Sequence, residues 1–284
     1  MSKRNRNKRN LNKPTTGTRI VSRTDVDIVI PLYGKLDFFK ECLSKIPEAC
    51  KEHSYDIIVV NNATPKEAGI IEVFKEVGPQ CKKIINLASN TGFPHACNLG
   101  ASYGFSSYIL FLNSDVFLDT NSIDIMIEDM KQDEKLAEVG PKLLFSTGTP
   151  NGPQGTIQHA GLEINIHSDV LHQFIGWNAD NPKVNIRCEP QALTGACILV
   201  RRKAWQEAHG FFEGYGMGTY EDVELSLTFR QLGYTILYEP KASGHHYVGA
   251  SSLEYKIQFP LGVNRELFIQ RNMGRFGWSD WARY

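Results

Sequence analysis

The sequence predicts an α/β protein with a mostly parallel central sheet flanked by helices. Two observations carry this. Apolar runs without alternation recur at residues 26–30, 55–60 and 108–112, the pattern of strands buried on both faces. Helical stripes separate them, and strand–helix alternation over about 90 residues calls for crossover connections in one sheet.

In order, residues 26–30 are expected as a strand ended by Pro31. Residues 35–50 form a helix with Phe38, Phe39, Cys42, Leu43 and Ile46 on one face, closed by Pro47. A second strand at 55–60 runs into the turn Asn61-Asn62-Ala63-Thr64-Pro65. A helix at 66–77, a strand at 83–87, a loop at 90–93, a helix at 94–104 and the strand at 108–112 follow. The ends of three of these strands, at Pro31, Asn61-Asn62 and Asn113-Ser114-Asp115, would then share one crevice. Beyond them come a helix at 121–132, a strand at 139–145, a loop at 146–156 and a short strand at 161–166. The polar stretch 176–187 reads as mobile. Residues 192–200 are a strand interrupted by Thr194-Gly195-Ala196, where small residues admit another backbone or a ligand, or mark a bulge. A helix from Glu221, with acidic residues in its first turn and Gly233 past its end, precedes a final strand at 234–238 and a loop at 244–249.

The start of the chain differs in kind. Lys3, Arg4, Arg6, Lys8, Arg9 and Lys13 crowd a segment with almost nothing apolar, so residues 1–24 are expected as a disordered basic tail. Such a tail suits peripheral contact with an anionic membrane surface, or serves only as a solvated leader. Residues 25–255 are the expected domain and 256–284 a C-terminal helical extension. The formal net charge of +0 excludes a globally basic nucleic-acid binder. No apolar run reaches the roughly 18–20 residues of a membrane span. The 6 cysteines are scattered without a Cys-x-x-Cys pair, which points to reduced thiols and a cytoplasmic location.

The chemistry concentrates at three places. Asp115 ends the run Leu110-Phe111-Leu112-Asn113-Ser114-Asp115. Open α/β sheets bind ligands just beyond the carboxyl ends of their strands, so Asp115 is expected where a hard cation meets a polyphosphate. An ordinary turn aspartate is the competing reading. Glu221 and Asp222 open a helix after the Gly-rich segment 214–220. A carboxylate there acts as a general base towards a hydroxyl, or merely complements the helix dipole. His245 and His246 follow, and imidazole can complete the coordination of a divalent ion. The order of strand-end Asp, helix-start Asp and loop His is what discriminates.

These residues carry a resemblance. Val29-Ile30-Pro31-Leu32-Tyr33, Val59-Val60-Asn61-Asn62-Ala63-Thr64, Asn90-Thr91-Gly92-Phe93, Asn98-Leu99-Gly100 and Asn113-Ser114-Asp115 follow one another in the first half. Gly140-Pro141-Lys142, Thr194-Gly195-Ala196, Arg201-Arg202, Tyr220-Glu221-Asp222 and His246 with Gly249 and Ser251 continue the series. Over residues 26–252 the chain resembles family 2 glycosyltransferases of the GT-A fold, in particular the rhamnosyltransferase-like subgroup.

The resemblance implies a nucleotide-binding first half, an acceptor-binding second half and an inverting transfer of a sugar from a UDP-, dTDP- or GDP-linked donor to a glycan or lipid-linked acceptor. It implies Mn²⁺ or Mg²⁺ as cofactor, held by Asp115 with His246 and Asn113. It makes Asp222, beside Glu221, the catalytic carboxylate. Pro31, Tyr33, Asn61, Asn98, Asn113, Ser114, Gly195 and Ala196 become the nucleotide-sugar contacts. Two departures stand out. Asn61 replaces the usual Asp that accepts from the base, and Asn113 replaces the first Asp of Asp-x-Asp, lowering the charge of the metal site. A sugar nucleotidyltransferase, or a non-catalytic scaffold that binds glycan, are the alternatives. No Gly-x-Gly-x-x-Gly or Walker motif supports dinucleotide or P-loop chemistry.

Overall fold

The apolar runs are strands, and their order brings the polar strand ends together. A computed structural model of the chain describes residues 24–165 and 169–272. Its elements begin β1 (Val26–Leu32), α1 (Leu36–Ala49), β2 (Tyr55–Asn61), α2 (Ile70–Val77), β3 (Lys83–Asn86), α3 (Phe93–Ser102) and β4 (Tyr108–Leu112). They continue with β5 (Val116–Leu118), α4 (Ser122–Gln132), β6 (Leu136–Phe145), β7 (Ile157–His159), β8 (Leu162–Ile164) and β9 (Val170–His172). The last are β10 (Cys197–Arg201), α5 (Arg202–Glu207), α6 (Glu221–Gln231), β11 (Thr235–His246), α7 (Ala250–Tyr255) and α8 (Leu261–Asn272).

The main sheet runs β3-β2-β1-β4-β10-β6-β11-β5, with β7 paired to β6. Its first half, β3-β2-β1-β4, is parallel throughout. β10 then runs antiparallel to both β4 and β6, and β5 antiparallel to β11, while β11 and β6 are parallel. Phe39, Cys42, Leu43 and Ile46 of α1 pack with Met126 and Met130 of α4 in a core that includes Ile28, Ile30 and Leu110 of the sheet. Cys97, Trp205, Phe211 and Phe229 pack in a second core with Val29, Ile109 and Phe111. Both faces of the central strands are thereby dry, as their unbroken apolar runs require.

Several expectations need correcting. β1 continues past Pro31 to Leu32. β4 pairs with β1 only as far as Val29, so a missing N–H at Pro31 leaves that ladder intact. Pro47 lies inside α1, in its last turn. The helix expected at 66–77 is split at Gly69, whose φ of 81° is left-handed. The strand expected at 192–200 begins only at Cys197, so Gly195 and Ala196 belong to the segment leading into it. The stretch 176–187 is anchored: the Tyr238 hydroxyl donates to the Val184 carbonyl at 2.9 Å, and Val184 is fully buried. His245 and His246 end a long strand and are not in a loop. The basic tail lies outside the described residues, apart from Thr24, as do residues 273–284 of the C-terminal extension.

The Arg201-Arg202 pair serves the fold. Arg201 donates to the carbonyls of Leu136 and Asp133 at 2.9 and 2.8 Å. Arg202 pairs at 2.6 Å with Asp27, which is wholly buried at the start of β1 and also accepts from the Ser106 N–H. Breaking a buried pair strands the remaining charge. Arg202→Leu is expected to cost about 3–5 kcal/mol. This reads as a lowered urea midpoint at unchanged m-value.

Candidate active site

The C-terminal ends of β1 and β4, the end of β11 and the loops after them enclose a cleft of about 700 Å³. Pro31 of β1 and Tyr33 just after it line the cleft, with Asn113, Ser114 and Asp115 from the turn after β4 and His246 from β11. Gly92 and Phe93 close one side. Residues of α7 and the segment behind it, among them Leu253, Ile257, Phe259 and Leu261, form an apolar rim.

Backbone pairing sets the Asp115–His246 contact. His246 pairs with Val116 of β5, the residue after Asp115, and the Tyr247 N–H donates to the Asp115 carbonyl at 3.1 Å. His246 Nε2 consequently stands 3.4 Å from Asp115 Oδ1, with both side chains largely buried. Burial pushes the Asp115 carboxyl up, but the facing His246 and the Ala250 N–H outweigh it and hold the group below its ordinary value. On its other edge His246 Nδ1 meets Gln158 Oε1 at 3.2 Å. Nothing in the sequence singles out Gln158, because a strand as short as β7 shows no readable periodicity.

The second carboxylate approaches through a glycine. The Gly195 N–H donates to Asp222 Oδ2 at 2.8 Å, and the Val223 N–H to Oδ1 at 2.8 Å. A Cβ at Gly195 would lie 3.2 Å from the Phe93 ring and 3.3 Å from Asp222 Cβ. A larger residue would therefore press on both. The next residue, Ala196, accepts from the Asn113 N–H at 2.9 Å. Asp222 is thus linked through Gly195-Ala196 to the turn that carries Asp115, with Phe93 between Gly195 and the cleft. Asp222 keeps partial exposure, whereas Glu221 is buried and its Oε2 has no hydrogen-bond partner. Burial raises the Asp222 carboxyl above its ordinary value against the pull of the backbone N–H groups. Burial and the charge of Asp222 push Glu221 up further. Neither Asp222 nor Glu221 is among the residues that line the cleft.

The loop before α6 is bent into this position. Gly216, Gly218, Thr219 and Tyr220 all have positive φ, at 61°, 128°, 85° and 72°. Thr219 is β-branched, so this conformation is costly unless neighbours hold it. α8 supplies those neighbours: Asn264 Nδ2 lies 2.9, 2.8 and 3.0 Å from Tyr215 O, Gly218 O and Thr219 Oγ1, and Phe268 stacks on Tyr220. Arg271 binds Glu224 of α6 at 2.6 Å. The loop also meets residues 92–93. A Cβ at Gly92, where φ is 89°, would lie 1.9 Å from the Gly216 carbonyl oxygen, so only glycine allows these backbones to touch.

Four expected nucleotide-sugar contacts do not line the cleft: Gly195 and Ala196 sit behind Phe93 and Asn113, and Asn61 and Asn98 lie elsewhere. Asn98 does not line the cleft: its Nδ2 donates to the Phe211 carbonyl and Glu213 at 2.8 Å, and its Oδ1 accepts from the Phe211 N–H at 2.9 Å. Asn61 opens on an adjoining hollow with Thr64, Ile70 and Phe74. It accepts from the Thr64 N–H and donates to Asn86, both at 2.9 Å, which shapes the turn after β2. Its neighbour Asn62 reaches the cleft wall while tying down Thr91 and Gly92.

Among the described residues no group of three or more His, Cys, Asp or Glu side chains gathers as a metal cage. The donor set at the cleft is one carboxylate and one imidazole, beside the Asn113 amide. That set fits a Mn²⁺- or Mg²⁺-like ion whose remaining positions are filled by a ligand's oxygens.

The model of the family described as glycosyl transferase family 2 matches residues 27–205. The chain is 23% identical over 246 residues to the O-antigen biosynthesis protein RfbC of Myxococcus xanthus, covering 84% of this chain and 18% of that protein. It is 26% identical over 220 residues to the poly-beta-1,6-N-acetyl-D-glucosamine synthase of Staphylococcus aureus (strain MSSA476), covering 76% of this chain and 48% of the synthase. The chain therefore spans half or less of these relatives. Among solved structures, GalNAc-T7 with UDP, GalNAc and Mn²⁺ superposes with a TM-score of 0.65 at 14% identity, over 80% of this chain and 44% of that one. The mannosyltransferase PcManGT of Pyrobaculum calidifontis, in complex with GDP-Man and Mn²⁺, gives 0.56 at 13% identity, over 80% and 58%. At such identities the likeness is one of fold.

Proposed function

The chain belongs to glycosyl transferase family 2, and from that premise we propose that it is an inverting transferase of a hexosyl or deoxyhexosyl residue from a nucleotide-diphosphate donor to a glycan or lipid-linked hydroxyl. The observation that supports the reading is the convergence of three distant residues. Asp115 and His246 face one another on one wall of the cleft, and Asp222, which does not itself line it, is tied by the Gly195 N–H to the segment packed behind Phe93 and joined to Asn113.

In this reading Pro31 and Tyr33 flank the nucleoside at the end of β1. Tyr33 is fixed from behind by the Tyr255 ring, 5.0 Å away, and its carbonyl accepts from Ser251. Ser114 and Asn113 lie along the diphosphate. Asp115 and His246 would hold a divalent cation, which when bound supplies positive charge against the departing diphosphate. Gly195 and Ala196 border the sugar, and the absence of a side chain at 195 keeps that border thin. Asp222 accepts the acceptor's proton as its oxygen attacks the anomeric carbon. The bond from that carbon to the diphosphate breaks, and its electron pair leaves with the nucleoside diphosphate. One displacement inverts the configuration.

The test is release of nucleoside diphosphate from UDP-, dTDP- and GDP-sugars, followed against pH. The ionised form of Asp222 is the active one and its carboxyl is raised by burial, so kcat/KM should rise with pH through a midpoint above the ordinary aspartate value. Asp115 is shifted the opposite way and does not limit that window. A rate independent of pH from 4 upward (roughly the ordinary carboxyl value) would exclude Asp222 as the base.

A further inference from the structure

We infer that Gln158 is a positioning residue for the metal site: it fixes the tautomer and orientation of His246 so that Nε2 faces the ion held with Asp115. The inference rests on the functional reading above. Its first support is geometric, since Gln158 Oε1 lies 3.2 Å from His246 Nδ1 while Nε2 on the opposite edge lies 3.4 Å from Asp115 Oδ1. An amide oxygen only accepts, so Nδ1 must carry the proton in this contact. Nε2 is then the nitrogen whose lone pair is available to a cation. A metal-ligating histidine generally depends on such a partner behind it to fix its ring and tautomer.

The second support is in the backbone. β7 pairs antiparallel with β6 as Leu143↔His159 and Leu144↔Ile157, with a register shift between the two pairs. Two steps on β7 thus match one on β6, and Gln158 is the extra residue of a β-bulge. Bulges recur beside active sites because they re-aim a side chain. Here the bulged residue is the one whose side chain crosses towards β11 and meets His246.

The third support is burial. Gln158 is 4% exposed and His246 7%, so neither amide nor ring has bulk water as an alternative partner. The neighbours on β7 are committed elsewhere. Ile157 is in the core, and His159 Nδ1 lies 3.2 Å from His172 Nδ1 while its Nε2 accepts from the Gly161 N–H at 3.4 Å.

The experiment has two readouts on the full chain. Long-range ¹H–¹⁵N NMR of the His246 ring is recorded without metal and with Mg²⁺ plus nucleoside diphosphate, and Mn²⁺ affinity is measured with the same nucleotide present. In the wild type, Nδ1 is expected to carry the proton in both states. Gln158→Leu, of similar volume but without an acceptor, should lose that fixed proton and bind Mn²⁺ about 10-fold or more weakly, within the range for loss of such partners. Gln158→Glu, which restores an acceptor, should recover the tautomer and most of the affinity. An unprotonated Nδ1 in the wild type, or a folded Gln158→Leu with unchanged tautomer and Mn²⁺ affinity, would overturn the inference. Should Gln158→Leu fail to fold, the wild-type tautomer and the Gln158→Glu result decide it. If the wild type binds no Mn²⁺ with any nucleoside diphosphate, the functional reading itself fails. That outcome is distinct from a normal wild type with an indifferent Gln158→Leu.

Discussion

Asp222→Asn is expected to lower kcat by about 10²–10⁴-fold, the usual contribution of a positioned general base, while the affinity for donor stays near that of the wild type. The amide preserves the volume and can still accept from the Gly195 N–H, so the segment 194–196 keeps its place. What it loses is basicity. An effect confined to kcat would mark an interaction made only in the transition state. A rise in the donor dissociation constant comparable to the fall in kcat would assign Asp222 to donor binding and leave the base unidentified. The same variant should lose the acid limb of the pH profile.

Asp115→Ala should act on the proposed metal site. It removes the carboxylate from the pair and leaves His246, held by Gln158, as a lone imidazole beside the Asn113 amide. Donor affinity in the presence of Mn²⁺ is expected to fall by about 100-fold or more, since losing even an outer partner of a metal ligand costs 10–100-fold. Turnover should fall with it, and the residual donor binding should no longer respond to Mn²⁺. The two variants therefore separate on one axis: one spares donor binding and the other abolishes its metal dependence.

The sequence displays the half of the molecule that obeys periodicity. Unbroken apolar runs can only be strands covered on both sides, so β1, β2 and β4 were readable, together with the crevice where their ends meet. Asp115 is readable for the same reason, whereas Asp222 shows as the acidic start of a helix and His246 only through the resemblance. Harder features depend on partners distant in sequence. Gly244-His245-His246 has poor strand propensity and becomes strand because β5 and β6 flank it. Gln158 is a bulge residue in a short strand and follows no alternation. The buried face of α8 is Asn264, Phe268 and Asn272, two amides around one ring, which hides a packed helix behind a polar pattern. Asn61 and Asn98 show a different limit. A motif places an amide near a site, but only the fold reveals that these amides are spent on Asn86, Thr64, Phe211 and Glu213.

The proposed mechanism requires a sugar, joined to a cation-bound diphosphate, to fit between Asp115 and Asp222. Thermal unfolding of the wild type and Asp115→Ala with UDP-, dTDP- and GDP-sugars, each with and without Mn²⁺, tests this most directly. At least one donor should raise the wild-type Tm by several degrees only when Mn²⁺ is present, and the rise should vanish in Asp115→Ala. A Tm that no donor moves, or one that moves equally without Mn²⁺ and in Asp115→Ala, would contradict the account.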